Sequence, residues 1–339
     1  MKSPSVAVLI LQQNGEKILD NCLTSLKKSN YPNFKVHVLL YDSKDKSEEV
    51  LKKHKINYFK SNKNLGFAGG NNFLINKTKS DYVVFLNNDT EVNRTWLTEL
   101  ISFAEKNKAA ACQPKILNLN NKEMFDHAGA SGGFIDNYGY PFCRGRIFAE
   151  IEKDKGQYNQ PKQIFWASGA CMLAKRKVLD KLGAFDEDLF LYGEELDLCW
   201  RINNSGEKIF AVPDSIIYHL GSYTVKASNM TSLKSFLIQR NTFLALLKNY
   251  SSKKLTSVIF QRIFLEFTSA FESFARAKAV AKSLFWLVFH ISKVKRMRAR
   301  AQKTRKVDEL SLKNIIYSRS IVFEYYLSGK TKFSQLKNF

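Results

Sequence analysis

The sequence predicts an α/β fold, a mainly parallel sheet flanked by helices and followed by a C-terminal helical region. Three observations lead there. Over the first 120 residues, apolar strand-like runs alternate with segments of helical spacing. Between residues 120 and 165 the alternation stops and glycines accumulate. From Thr231 onward, long helical patterns take over.

The elements follow in order. Val6 to Leu11 is an apolar run that reads as a strand. Glu16 to Lys28 carries apolar residues at 18, 19, 22, 23 and 26, which is helical spacing. Val36 to Tyr41 is a second strand and Lys46 to Lys53 a helix. Ile56 to Phe59 is a short third strand, Phe67 to Asn76 a short helix, and Asp81 to Leu86 a buried fourth strand. Trp96 to Lys106 is a helix and Ala109 to Ile116 a strand. Such alternation builds βαβ units, whose right-handed crossovers gather the strand C-termini at one edge, where ligands bind. Residues 120 to 165, with Gly129, Gly132, Gly133, Gly139, Gly145 and Gly156, read as loops and short antiparallel strands over that edge. Regularity returns from Ile164 to about Tyr223. Helices are expected at 231–249, roughly 254–276, and 278–292, and then comes a run at 293–306 with eight Lys or Arg and no acid. A boundary near 230 separates a domain over 1–230 from a helical, basic region over 231–339.

Composition narrows the partners. With 339 residues, 45% hydrophobic and 13% aromatic, the chain is globular rather than disordered. Its formal charge of +22 favours an anionic partner: nucleic acid, anionic membrane or phosphorylated substrate. The five cysteines are far apart and form no CxxC pair, so no zinc knuckle or redox pair is indicated, and their odd count suits a reducing compartment. The N-terminal apolar run is too short for a signal h-region, and no apolar stretch is long enough for a transmembrane helix.

Five pieces carry the chemistry. Asp42 ends the second strand, where a carboxylate can accept hydrogen bonds from a base or ribose; capping the next helix is the competing reading. The stretch from Asn64 to Asn72, with Gly66, Gly69, Gly70 and Asn71, opens a helix where backbone can approach an anionic ligand, or is simply a flexible loop. The fourth strand ends in Asn87, Asn88 and Asp89. One carboxylate among neutral oxygens suits a hard divalent cation already carrying a diphosphate, although a plain turn reads the same way. Trp166 to Met172, with small residues around Gly169, suits an acceptor floor or a tightly packed strand. Residues 183–222 are the most informative. Glu194, Glu195 and Asp197 crowd the first turn of a helix with Arg201 one turn on, more than dipole capping requires, and such crowding lifts a carboxyl toward a working base. His219 follows a short strand, Ser215 to Tyr218.

Taken together, VAVLILQQNG, YDSKDKS, NLGFAGGNN, FLNNDTEV, FDEDLFLYGEELDLCWR and YHLGS, in this order, resemble the family 2 glycosyltransferases of GT-A fold, particularly the bacterial rhamnosyltransferase-like branch. The resemblance covers about residues 5–250. It implies a nucleotide-diphospho-sugar donor, a divalent cation (Mg2+ or Mn2+) and inversion at the anomeric carbon. Residues 1–120 would hold the donor half and 121–230 the acceptor half. Gln12, Asn14, Asp42, Asn64, Gly66, Gly69, Asn71, Asn87, Asn88 and Asp89 would line the donor site, with Asp89 the surviving DxD acid and His219 the second metal ligand. Glu195 would be the catalytic base, with Glu194 second choice, and Trp166, Gly169, Asp197 and Arg201 would stand on the acceptor side, Asp197 orienting Arg201 or capping the helix. The chain departs from the pattern at Gln12-Gln13-Asn14, at Asn87 for the first DxD acid, at Glu195 for Asp, and in a short segment after Asp42. The acceptor would be a saccharide or a polyprenyl-diphosphate-linked saccharide met at the cytoplasmic face of the membrane. There the segment 278–292 and the basic run 293–306 would lie on anionic lipid. Two other classes compete: a nucleic-acid-binding protein, for which no helix-turn-helix, zinc or RNP signature appears, and a non-catalytic GT-A-like binding module, which release of nucleotide diphosphate from a donor would exclude.

Overall fold

Strand β1 (Val6–Gln12) lies inside the sheet because it is apolar on both faces. Leu9 faces one core cluster, with Leu39, Leu74 and Phe85, while Val8 and Ile10 face the other, with Leu19, Leu23 and Trp96. The computed structural model describes residues 3–221, 231–270 and 274–336. β1 pairs in parallel with β2 (Phe34–Tyr41) and β4 (Tyr82–Leu86), and β2 with β3 (Asn57–Ser61). The crossovers carry α1 (Glu16–Lys27), α2 (Ser47–Lys53) and α3 (Gly66–Lys77).

Beyond β4 the sheet turns mixed. β12 (Cys171–Lys175) enters antiparallel to β4, and β6 (Ala111–Asn118), β13 (Ile209–His219) and β11 (Lys162–Ile164) extend it. The strand expected at 215–218 is thus the end of a longer one, bulged between Val212 and Ile216. β5 (Thr90–Val92) adds to β13, and α4 (Trp96–Asn107) packs on β6 and β13.

Residues 120–165 form the short antiparallel strands that their glycines suggested: β7 (Gly133–Asp136), β8 (Pro141–Cys143), β9 (Arg146–Ile147) and β10 (Glu150–Ile151). The C-terminal residues complete this second sheet, since β14 (Ile316–Tyr317) pairs in parallel with β7. Ile321 N donates to the buried Asp136 at 2.9 Å, and Phe333 packs against Phe134 with ring centres 5.3 Å apart.

The remaining helices are α5 (Arg176–Leu182), α6 (Glu194–Asn204), α7 (Thr231–Asn249), α8 (Ser252–Ala270), α9 (Phe274–Phe289), α10 (Ile291–Lys303) and α11 (Ile321–Tyr326). α7 packs on α6, α9 and α10. The expected boundary near 230, the loop residues Ser222 and Tyr223, and positions 271–273 of the helix expected at 254–276 lie outside the described residues. The basic run, expected on anionic lipid, is in part folded into the protein. Most of it is α10, which buries Val294, Met297 and Ala301, while Arg298 donates to Leu247 O and Tyr250 O and Arg305 to Asn249 O.

Candidate active site

Register explains why two distant residues meet at the end of β4. β5 starts at Thr90 and pairs antiparallel with β13, so that His219 lies opposite Thr90, one residue after Asp89. His219 Nε2 stands 3.1 Å from Asp89 Oδ1, and Leu220 N donates to Asp89 O at 2.9 Å. The other ring nitrogen, Nδ1, lies 2.9 Å from Asp126 Oδ1, and Asn87 Nδ2 is 3.3 Å from Nε2. Asp89, Asp126 and His219 are all buried. Burial is the strongest influence on the ring and opposes its charge, but the two carboxylates together outweigh it and push His219 up to about 10.

This cluster suits a cation. Asp126 holds Nδ1 and so aims Nε2 at the space that Asp89 shares, the carboxylate–histidine arrangement that orients a metal ligand. Among the described residues no group of three or more acidic, His or Cys side chains could hold a metal by itself. An ion shared by Asp89 and His219 would have to displace the proton from Nε2 and take its remaining ligands from elsewhere, such as a bound diphosphate.

The neighbouring donor-side residues are tied to this turn. Asn88 Nδ2 donates to Gln12 Oε1 at 2.6 Å, and Gln12 Nε2 donates to Asn14 O and Ser47 Oγ. Gln12 is therefore a fully buried link rather than an open contact. Asn14 accepts from Lys44 N at 2.8 Å, and beside it opens a cavity of about 420 Å³ lined also by Gly15, Lys17, Lys44 and Asp45. Asp42 stands exposed at the end of β2. The glycine loop makes its close approaches to protein. A Cβ on Gly66 (φ 69°) would fall 2.4 Å from Phe190 O, and one on Gly70 would fall 2.9 Å from Leu11. Asn64 accepts from Gly66 N, a Cβ on Gly69 would meet Leu65, and Asn71 is buried, donating to Phe67 O.

A belt of contacts carries the lip round to the acidic helix. Asn87 N donates to Ala170 O, Gly169 lies against the Phe67 ring, and Ala68 N donates to Phe190 O. The loop then passes through Phe190 (φ 63°), Tyr192 (φ 67°) and Gly193 (φ 85°), conformations that L side chains rarely adopt, and enters α6. Helix α7 holds it there. Asn241, fully buried, places Nδ2 2.6–3.0 Å from the carbonyl oxygens of Leu189, Leu191 and Tyr192.

The two glutamates then part. Glu195 is half-buried and accepts from Gly193 N at 3.1 Å. Burial raises its carboxyl above the usual range, and the amides of Glu195, Gly193 and Leu196 restrain the shift. Glu194 turns inward, with Oε2 lacking a partner among the described residues; burial first, and Glu195 second, raise it well above the ordinary value.

Trp166, Asp197 and Arg201, expected beside the acceptor, are instead turned into the protein. Trp166 lies over Gly133 and donates to Phe134 O at 2.9 Å. Asp197 bonds Arg201 at 3.0 Å, Lys248 at 2.9 Å and Asn249 at 2.8 Å. Burial favours the neutral acid, but Lys248 and Arg201 hold Asp197 down at about 2. An aromatic among small residues and an acid one turn from an arginine are also what a tight interior junction requires. Asp126, Asn241 and Lys248 went unrecognised in the sequence. The first lies in an aperiodic stretch, and the other two are polar interruptions of an apolar helix, the one signal that could have marked them.

The profile of glycosyl transferase family 2 matches residues 5–183, more than half of the chain. The chain is 24% identical over 231 residues to the O-antigen biosynthesis protein RfbC of Myxococcus xanthus, covering 66% of this chain and 18% of that protein. It is 22% identical over 268 residues to the dTDP-rhamnosyl transferase RfbF of Shigella flexneri, covering 74% of this chain and 82% of that one. The solved mannosyltransferase PcManGT from Pyrobaculum calidifontis, in complex with GDP-Man and Mn2+, matches with a TM-score of 0.54 at 12% identity over 90% of this chain and 86% of its own, a likeness of fold. With the profile match and the strand-end site in place, the chain belongs to glycosyl transferase family 2 and has the GT-A fold.

Proposed function

We propose that the protein is an inverting glycosyltransferase that moves a sugar from a nucleotide-diphospho-sugar, dTDP-rhamnose or a UDP-sugar, to a saccharide or polyprenyl-diphosphate-linked saccharide in cell-surface polysaccharide synthesis. The observation that carries this reading is the junction of Asp89, His219 and Asp126 at the end of β4, tied through Ala170, Gly169, Phe67 and Phe190 to the loop that leads into Glu195. RfbF is described as a dTDP-rhamnosyl transferase, and PcManGT was solved in complex with GDP-Man and Mn2+, which supports a nucleotide-sugar donor. A divalent cation, Mg2+ or Mn2+, held by Asp89 and His219 would compensate the charge developing on the diphosphate.

The chain's own residues supply the rest. Glu195 takes the proton from the acceptor hydroxyl as it attacks the anomeric carbon from the face opposite the diphosphate, and burial raises its proton affinity above that of an ordinary carboxylate, as a general base needs. Asn241 keeps the loop before it fixed, so little reorganisation is needed at the moment of transfer. A lipid-linked acceptor would bring the enzyme to the cytoplasmic face of the cell membrane.

The test is release of nucleotide diphosphate from a panel of nucleotide sugars with Mg2+ or Mn2+. Glu195→Gln should cut turnover by roughly two to four orders of magnitude while donor affinity holds. A dead Glu194→Gln beside an active Glu195→Gln would reverse the assignment, and no release from any donor would favour a binding module.

A further inference from the structure

Among the described residues, seven large apolar side chains on two consecutive helices are left in the open, and six of them fall on two stripes. Phe260, Phe264 and Phe267 of α8 and Phe285, Val288 and Phe289 of α9 are 55% to 77% exposed. The α8 phenylalanines recur at helical spacing and form one stripe; Phe285 and Phe289 form another, with ring centres 4.2 Å apart. Their helices are already anchored through other faces. Val258 and Leu265 of α8 and Val280 and Leu287 of α9 are buried, Arg262 pairs with Glu266 inside at 2.7 Å, and both helices pack together. The stripes are therefore surplus to the core, and contiguous apolar surface of this kind marks an interaction site.

Charge selects the partner. Between residues 231 and 306 the chain has 17 Lys or Arg against two acids, Glu266 and Glu272. Lys278 and Lys282 share the α9 stripe with Phe285 and Phe289, and Lys295 and Arg296 are exposed on α10. A second copy carrying the same cations would be repelled, whereas an anionic lipid surface would be attracted, and aromatic rings flanked by cations compose an interfacial helix. Among the described residues no helix is long and apolar enough to cross a membrane, which leaves contact in the plane of the surface.

We propose that the exposed aromatic faces of α8 and α9 together dock on an anionic bilayer. This moves the contact from where the sequence placed it. Within 278–292, Leu284, Trp286 and Leu287 turn into the protein, and Arg298 and Arg305 of the basic run are committed to backbone carbonyls, while α8 joins the surface. The setting rests on the lipid-linked acceptor proposed above, but the docking is measured without turnover, so the two can fail separately.

The test is flotation of the full chain with phosphatidylcholine vesicles, with and without phosphatidylglycerol. Wild type should float with the anionic vesicles at low salt and less as salt rises. The triple variants Phe260→Ser/Phe264→Ser/Phe267→Ser and Phe285→Ser/Val288→Ser/Phe289→Ser should each lower partitioning by roughly tenfold or more with an unchanged melting temperature. Lys278→Glu/Lys282→Glu should reduce the preference for anionic over neutral vesicles. Equal flotation of the triple variants, no binding by wild type at low salt, or a dimer in place of vesicle binding that the triple variants disperse would each overturn the proposal.

Discussion

Replacing Lys248 by Met tests whether α7 holds the acidic helix by charge. Lys248 is buried at 1% exposure, with Nζ 2.6 Å from Asp186 Oδ2 and 2.9 Å from Asp197 Oδ1. At an effective dielectric of about 20, a unit pair at this separation attracts by roughly 6 kcal/mol. Part of that returns because Met need not be desolvated as an ion, so the net cost should be about 3–5 kcal/mol, the usual penalty for orphaning one buried charge. Arg201 and Asn249 remain on Asp197 and set the cost toward the lower end. Urea unfolding followed by tryptophan fluorescence is suited to the measurement, because Trp200 of α6 sits 4.8 Å from the Tyr250 ring, just past the end of α7. Adding Asp197→Asn should recover roughly half of the loss, since the orphaned carboxylate is then gone. A single variant within about 1 kcal/mol of wild type, or a double variant no better than the single, would refute the reasoning.

Asp126→Asn should weaken Mn2+ binding in the presence of nucleoside diphosphate by roughly 10–100-fold, read by metal titration, because His219 loses the carboxylate that orients it. Gly66→Ala should destabilise by about 2 kcal/mol or more in thermal unfolding, given a positive φ and an overlap with Phe190 O, whereas Gly69→Ala should be tolerated better. Acid should expose the Asp197 contribution. Its folded value of about 2 lies below the ordinary 3.8, so the stabilisation is present above that value and is lost as pH falls through about 2. Wild type should lose about 2 kcal/mol more over that window than Asp197→Asn does, as measured by urea unfolding at each pH.

Much of the fold was legible because strand type follows from local pattern. Val6–Leu11 and Tyr82–Leu86 are apolar at every position, and no other placement buries both of their faces. The Asp89 turn was legible for the same reason, since a strand that ends abruptly in polar residues must deliver them to the sheet edge. What pairs with that turn was harder. His219 reaches Asp89 through a register between β5 and β13 that no local window contains. Asp126 sits where glycines erase periodicity. For Trp166 and Asp197 the sequence named residues of the right chemistry but could not say which way they face, because interior polar junctions use the same letters as ligand sites. In α8 the phenylalanines at 260, 264 and 267 follow the helical spacing of a buried face, and only the packed neighbours of the helix reveal that they lie outside it.

The pairing of β14 with β7 has a consequence for how the protein is made. A hydrogen bond from Ile321 to Asp136 spans 185 residues, and one from Phe333 to Glu152 spans 181. While the chain is being synthesised, the β7 edge and the buried Asp136 carboxylate wait without these partners until residues 316–333 have left the ribosome. Closing so long a loop is slow, and an edge strand left open in the meantime is exposed to wrong pairing. The small sheet is therefore completed only after the rest of the described fold can form, and the segment that carries β14 serves as its clasp in time as well as in space.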